Sequence, residues 1–134
     1  LGNIKAYGNN SNVACIGGII GLNSGNIELN NCYNIGSVEG YNGIGGIVGF
    51  ANGANSMVTI TNCYNIGTIK GTQNVGEIVG GNNSNSYRKI NNSYTKTQSI
   101  TATVLGDAYT SDIKKEDGTW KYNNGYPILK WQIK

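Results

Sequence analysis

Six consecutive residues, Asn31-Cys32-Tyr33-Asn34-Ile35-Gly36, return unchanged as Asn62-Cys63-Tyr64-Asn65-Ile66-Gly67. The offset is 63 − 32 = 31 residues, and a weaker copy, Asn92-Ser93-Tyr94-Thr95, follows at 93 − 63 = 30. A constant period of this size marks a stacked repeat array, in which each unit buries its apolar face only against its neighbours. The match extends well beyond the six residues. Ile16-Gly17-Gly18-Ile19-Ile20-Gly21-Leu22 aligns with Ile44 to Phe50 and with Val75 to Gly81. Ile27-Glu28-Leu29 aligns with Val58-Thr59-Ile60 and Arg88-Lys89-Ile90, and Leu1 to Tyr7 aligns with Ile35 to Tyr41. The array therefore divides into a partial repeat at 1–12 and repeats near 13–42, 43–72 and 73–99, with a segment of different composition at 100–134.

Short β-branched runs bounded by Gly and Asn read as strands. Each repeat offers three: the Gly-rich run from Ile16, the alternating Ile27 to Leu29, and a short one around Val38. In the first run, strict alternation places Ile16, Gly18, Ile20 and Leu22 on one face and Gly17, Ile19 and Gly21 on the other. Its glycines suit a bend or close backbone approach. A phosphate loop is rejected, because no Lys-Ser/Thr follows and no helix is predicted after it. An antiparallel sandwich or barrel would explain the strands but not the repetition of whole turn sequences. The expected fold is all-β, a right-handed parallel β-helix (β-solenoid) of about 30-residue coils with a C-terminal capping segment. Like residues then stack on like. Asn31, Asn62 and Asn92 are expected to form an amide ladder, and Tyr33, Tyr64 and Tyr94 an aromatic one.

Composition narrows the function classes. Charged residues make up 13% of the 134 residues, about half the usual share. The net charge of +3 is spread along the chain without a basic cluster, which argues against a nucleic-acid partner. No apolar run is long enough to span a bilayer. The chain begins at Leu1 and is expected to be a fragment whose targeting segment lies upstream or was removed.

Cys32 and Cys63 hold equivalent repeat positions. Neighbouring rungs lie about 4.8 Å apart, within disulfide reach, but in-register parallel Cβ vectors fit such a bond poorly. Inward free thiols in a ladder continued by Ser93 are expected, with a disulfide as the alternative. A chain with no His and no Cys-x-x-Cys pair is a poor zinc binder.

The third repeat departs from the pattern at Glu77, Arg88 and Lys96, as terminal repeats do. Beyond it, Thr101 to Leu105 reads as a short helix. Asp107, Asp112, Glu116 and Asp117 read as a solvated acidic loop, without the spacing of an EF-hand. Trp120, Tyr126, Pro127, Ile128, Leu129 and Trp131 are expected to fold over the last coil as a cap, the alternative being a stacking platform for sugar rings.

Gly18 to Gly25 and Gly46 to Gly53, each followed by a strand and the Asn-Cys-Tyr-Asn-Ile-Gly core, resemble GLUG-motif repeats. The tail from Leu105 to Tyr109 and from Asn123 to Gln132 is similar to the segment that often closes such arrays. The resemblance covers nearly the whole chain. It implies an extracellular β-helical repeat region of a bacterial surface protein, such as an adhesin-like protein or the non-catalytic part of an immunoglobulin-A-cleaving metalloprotease. It implies no catalytic residue and no cofactor here. Its partners would be a host-surface protein or a glycan. A carbohydrate-binding module using exposed Tyr or Trp is the alternative, and a polysaccharide-degrading β-helix a weaker third. The repeats hold only Glu28, Glu39 and Glu77 as carboxylates, each in a different register.

One column tests the register directly. Ile4, Val38 and Ile69 are expected to face the core, so Lys5, Glu39 and Lys70 must share the outer face as a file of alternating charge.

Overall fold

The computed structural model describes residues 2–7, 15–82, 86–91, 93–95, 120–123 and 126–132, with backbone alone for 120–123 and 126–128. Residues 8–12 of the partial repeat, Asn92, Lys96, the expected Thr101 to Leu105 helix and the acidic Asp107, Asp112, Glu116 and Asp117 lie outside the described residues.

Each repeat winds once around the stack. β1 (Ile4–Lys5) precedes the first full coil, which holds β2 (Ile16–Gly17), β3 (Ile20–Asn23), β4 (Ile27–Asn30), β5 (Tyr33–Asn34) and β6 (Val38–Glu39). The second coil holds β7 (Asn42–Gly45), β8 (Val48–Ala51), β9 (Met57–Thr61), β10 (Tyr64–Asn65) and β11 (Ile69–Lys70). The third holds β12 (Gln73–Gly76), β13 (Val79–Asn82), β14 (Tyr87–Asn91) and β15 (Tyr94–Thr95). Corresponding strands pair in parallel into five three-stranded sheets: β2–β7–β12, β3–β8–β13, β4–β9–β14, β5–β10–β15 and β1–β6–β11. This is the expected parallel β-solenoid, and the sandwich alternative falls with the pairing. The aligned residues are register partners: Ile16 with Ile44 and Val75, Tyr33 with Tyr64 and Tyr94.

The strand count per coil needs correction. The Gly-rich run is two strands rather than one, and the Tyr-Asn of the repeated core forms a strand of its own, so a complete coil has five. The first split has a steric cause. A Cβ on Gly45 would run into the carbonyl oxygen of Val48, across a turn at Gly46-Ile47. Only a residue without a side chain can make that corner. The corner also cancels the expected alternation. Ile47 and Val48 are both fully buried, and Leu22, expected to share a face with Ile16 and Ile20, is 51% exposed.

Past the corner, β8 runs back along β7 at backbone contact. A Cβ on Gly49 would lie 2.7 Å from the Gly43 carbonyl oxygen and 2.5 Å from the Ile16 nitrogen. The interior is thereby divided in two. Ile47, Val48, Ala51, Val58, Ile60, Cys63, Ile78 and Val79 fill one compartment. Val38, Ile44, Ile69 and Val75, with Ile16 against them, fill the other. The connection from the second to the third sheet absorbs the length variation between repeats. Between register-matched residues it has 27 − 23 − 1 = 3 residues in the first coil, 58 − 51 − 1 = 6 in the second and 88 − 82 − 1 = 5 in the third.

β16 (Trp120–Asn123) and β17 (Tyr126–Leu129) form an antiparallel hairpin, followed by a single 3-10 turn at Lys130–Gln132.

Candidate functional site

The stack satisfies buried polar groups through columns that cross from coil to coil. The Cys32 backbone N–H donates to Cys63 Sγ (3.4 Å), and the Cys63 N–H donates to Ser93 Oγ (3.2 Å). Each of these side chains donates onward to the carbonyl two residues before it: Cys32 to Asn30, Cys63 to Thr61, Ser93 to Asn91. A hydroxyl can do what the thiol does, so Ser93 extends the column. Cys15, Cys32 and Cys63 are free thiols. Burial pushes the Cys63 thiol up to about 12 and raises that of Cys15. A thiol held neutral is a poor nucleophile.

Asn31 and Asn62 have a conformational role. Both hold left-handed backbone, with φ of 56° and 54°, at the turn before the aromatic strand. Asn tolerates that region better than other residues with a Cβ. Amide pairs also join the coils elsewhere: Asn74 Nδ2 donates to Asn42 Oδ1 at 2.8 Å, and a second pair lies three positions after Asn31 and Asn62. Asn34 Nδ2 donates to Asn65 Oδ1 at 2.8 Å, and each of these side chains also bonds the backbone of the Gly two residues on. Asn65 is buried, in contact with Gly46.

At the third coil this column changes chemistry. Thr95 takes the place of Asn34 and Asn65, and Glu77 takes the place of Gly18 and Gly46. The two replacements meet. The Thr95 hydroxyl donates to the Glu77 carboxylate, and both residues are buried. The shorter Thr vacates room that the Glu fills, so the departures of the last repeat are a matched pair. Arg88, at the inward register position of Ile27 and Val58, is half-buried in the same coil.

The aromatic column is an outer flank with a cover. Tyr33 and Tyr64 stack at 5.3 Å between ring centroids and 14° between planes. Leu129 is fully buried with Tyr64, and Tyr33, Ile35, Ile66 and Tyr94 pack around them. Gln132 bonds the Tyr64 hydroxyl, and the Trp131 ring lies 5.9 Å from that of Tyr33. The described contacts of the tail are thus on the side of the stack, along the tyrosines. The side chains of Trp120, Tyr126 and Pro127 lie outside the described residues. Asn124-Gly125, between register partners Asn123 and Tyr126, is the sequence signal for this hairpin.

The charge column stands where the register requires. Glu39 pairs with Lys5 at 3.3 Å and Lys70 at 3.1 Å, beside buried Val38 and Ile69; Ile4, expected in the core with them, is instead 39% exposed, because its strand β1 is the edge of the sheet. The Lys70 hydrogen bond, then that of Lys5, holds the Glu39 carboxyl below its usual value. The outer face of β4–β9–β14 is different. Glu28, Thr59 and Lys89 form one outward column, and Met57 and Tyr87 a second. None of Glu28, Thr59 and Lys89 has a side-chain hydrogen bond or ion pair among the described residues.

Comparison with protein-family models, curated proteins and solved structures finds no match. No helix among the described residues is long and apolar enough to cross a membrane.

Proposed function

We propose that the chain is a non-enzymatic extracellular repeat module, a stalk or adhesive segment of a larger bacterial surface protein. The carrying observation is that several polar side chains are committed to other coils or other sheets of the stack. Cys63, Asn34, Asn65, Glu39 and Glu77 each bond a residue of another coil or another sheet. Such a stack works as a spacer whose length grows by about 4.8 Å per coil. The GLUG-like repeats point to the same role. The buried, neutral Cys63 thiol suits an oxidising exterior, where a reactive Cys would be lost to exchange. The three carboxylates among the described residues sit on different elements: Glu28 on β4, Glu39 on β6, and Glu77 at the corner between β12 and β13. Glycoside hydrolysis asks for two carboxyl groups within about 5–10 Å across a bond.

An antibody against the chain is expected to label intact, unpermeabilised cells of the source bacterium. Labelling that appears only after permeabilisation refutes the surface assignment. A carbohydrate-binding module is the second reading. Its support is the exposure of three aromatic side chains, Tyr7 (87%), Tyr87 (62%) and Trp131 (61%), among the described residues.

A further inference from the structure

We infer that the outer face of the β4–β9–β14 sheet carries a binding cleft for one ring of a neutral glycan, at Asn26, Glu28, Asn55, Met57 and Thr59, with Tyr87 beside it. The inference rests on the carbohydrate-binding reading and gives it a location. Asn26, Ile27, Glu28, Asn55, Met57 and Thr59 line a cleft of about 220 Å³. That is below the range of about 300–1,000 Å³ typical of drug-sized sites and suits one small ring.

The cleft exists because the repeat is broken there. The connection before β9 is the longest of the three, and it carries Asn55 in left-handed backbone at φ 59°. In stacked arrays an insertion in one repeat falls on one face, often the one that binds. The Met57 backbone N–H donates to Asn26 Oδ1 at 2.8 Å, which ties the rim of the second coil to the first.

The chemistry of the lining selects the occupant. Glu28, Asn55 and Thr59 make no side-chain hydrogen bond or ion pair among the described residues, in contrast to the committed columns of the stack. They offer a carboxylate, an amide and a hydroxyl, the acceptors and donors that read sugar hydroxyls. Met57 and its register partner Tyr87 are 45% and 62% exposed and supply an apolar platform for the C–H face of a ring. The one charged residue lining the cleft is acidic, which disfavours phosphate, sulfate and sialic acid. A protein partner needs roughly 800 Å² per side, far more than this cleft presents.

The test is calorimetric titration of the whole chain with three neutral probes, chitotetraose, cellotetraose and N-acetyllactosamine, and with sialyllactose as the anionic comparison. Saturable binding of at least one neutral probe is expected, with sialyllactose weaker. Tyr87→Ala removes the platform and Thr59→Arg fills the cleft. Each should weaken binding roughly tenfold, the scale of one lost anchor. Both positions face outward, so circular dichroism should be unchanged, and Trp131→Ala should bind like the parent. Binding that survives both cleft variants but is lost in Trp131→Ala overturns this site and leaves the carbohydrate-binding reading standing. No saturable binding to any of the four probes overturns both.

Discussion

Replacing Gly49 with Ala adds one methyl group at a place where backbone surrounds it. The new Cβ would lie 2.5 Å from Gly21 O, 2.5 Å from Ile16 N and 2.7 Å from Gly43 O. Ordinary contact begins near 3.4 Å, so the shortfalls are 3.4 − 2.5 = 0.9 Å twice and 3.4 − 2.7 = 0.7 Å once. No rotamer relieves them, because all three atoms belong to the backbone of packed sheets. Separating β8 from β7 would also disturb the corner at Gly46-Ile47. The expected cost is at the upper end of overpacking, about 3 kcal/mol. In a chain of this length that lowers the thermal midpoint by roughly 10 °C. Gly25→Ala is the matched control. Nothing lies within 4 Å of its added Cβ and its backbone is not left-handed. It should stabilise by about 0.5 kcal/mol through the unfolded chain. Urea unfolding followed by circular dichroism measures both. A Gly49→Ala protein within about 0.5 kcal/mol of the parent, the range of an ordinary surface change, would show that the two sheets are not in backbone contact.

Three further outcomes are expected. Glu77→Gly and Thr95→Asn should each destabilise, and the double variant, which rebuilds the Gly46–Asn65 arrangement, should recover a coupling of about 0.5–3 kcal/mol in a double-mutant cycle; strictly additive effects would break the pairing. Cys63 has its folded thiol value raised, so only the unfolded chain ionises as pH rises from its ordinary value of 9.0 towards about 12. Stability should fall across that window, and less steeply in Cys63→Ser, as chemical unfolding at a series of pH values would reveal. Glu39 has its folded value depressed, so its contribution is full above the ordinary value of 4.5 and fades as pH drops through the folded value. Glu39→Lys should place three like charges in a file and destabilise more at low salt than at high; equal losses at both would mean the column is electrostatically silent.

The period, the register and the class of fold are legible in the residues alone. Identical residues at a constant interval stack on one another, and each pairing of coils then follows from matching like with like. Period and alternation together are enough to put Lys5, Glu39 and Lys70 on one outer file, beside Val38 and Ile69 in the core. Tertiary structure alone decided where a coil turns. The seven-residue run from Ile44 to Phe50 has the composition of one strand, and its division at Gly46-Ile47 depends on two backbones meeting at Gly49. The same holds for the left-handed backbone of Asn31 and Asn62, which the repeated residue type does not by itself announce. Glu77 and Thr95, taken singly, are departures from the last repeat, and they are partners only in space. The tail's place along Tyr33 and Tyr64 is likewise hidden, because nothing in a repeat pattern encodes where a non-repeating segment docks. Periodicity reports contacts between equivalent positions; contacts between non-equivalent ones leave no period to read.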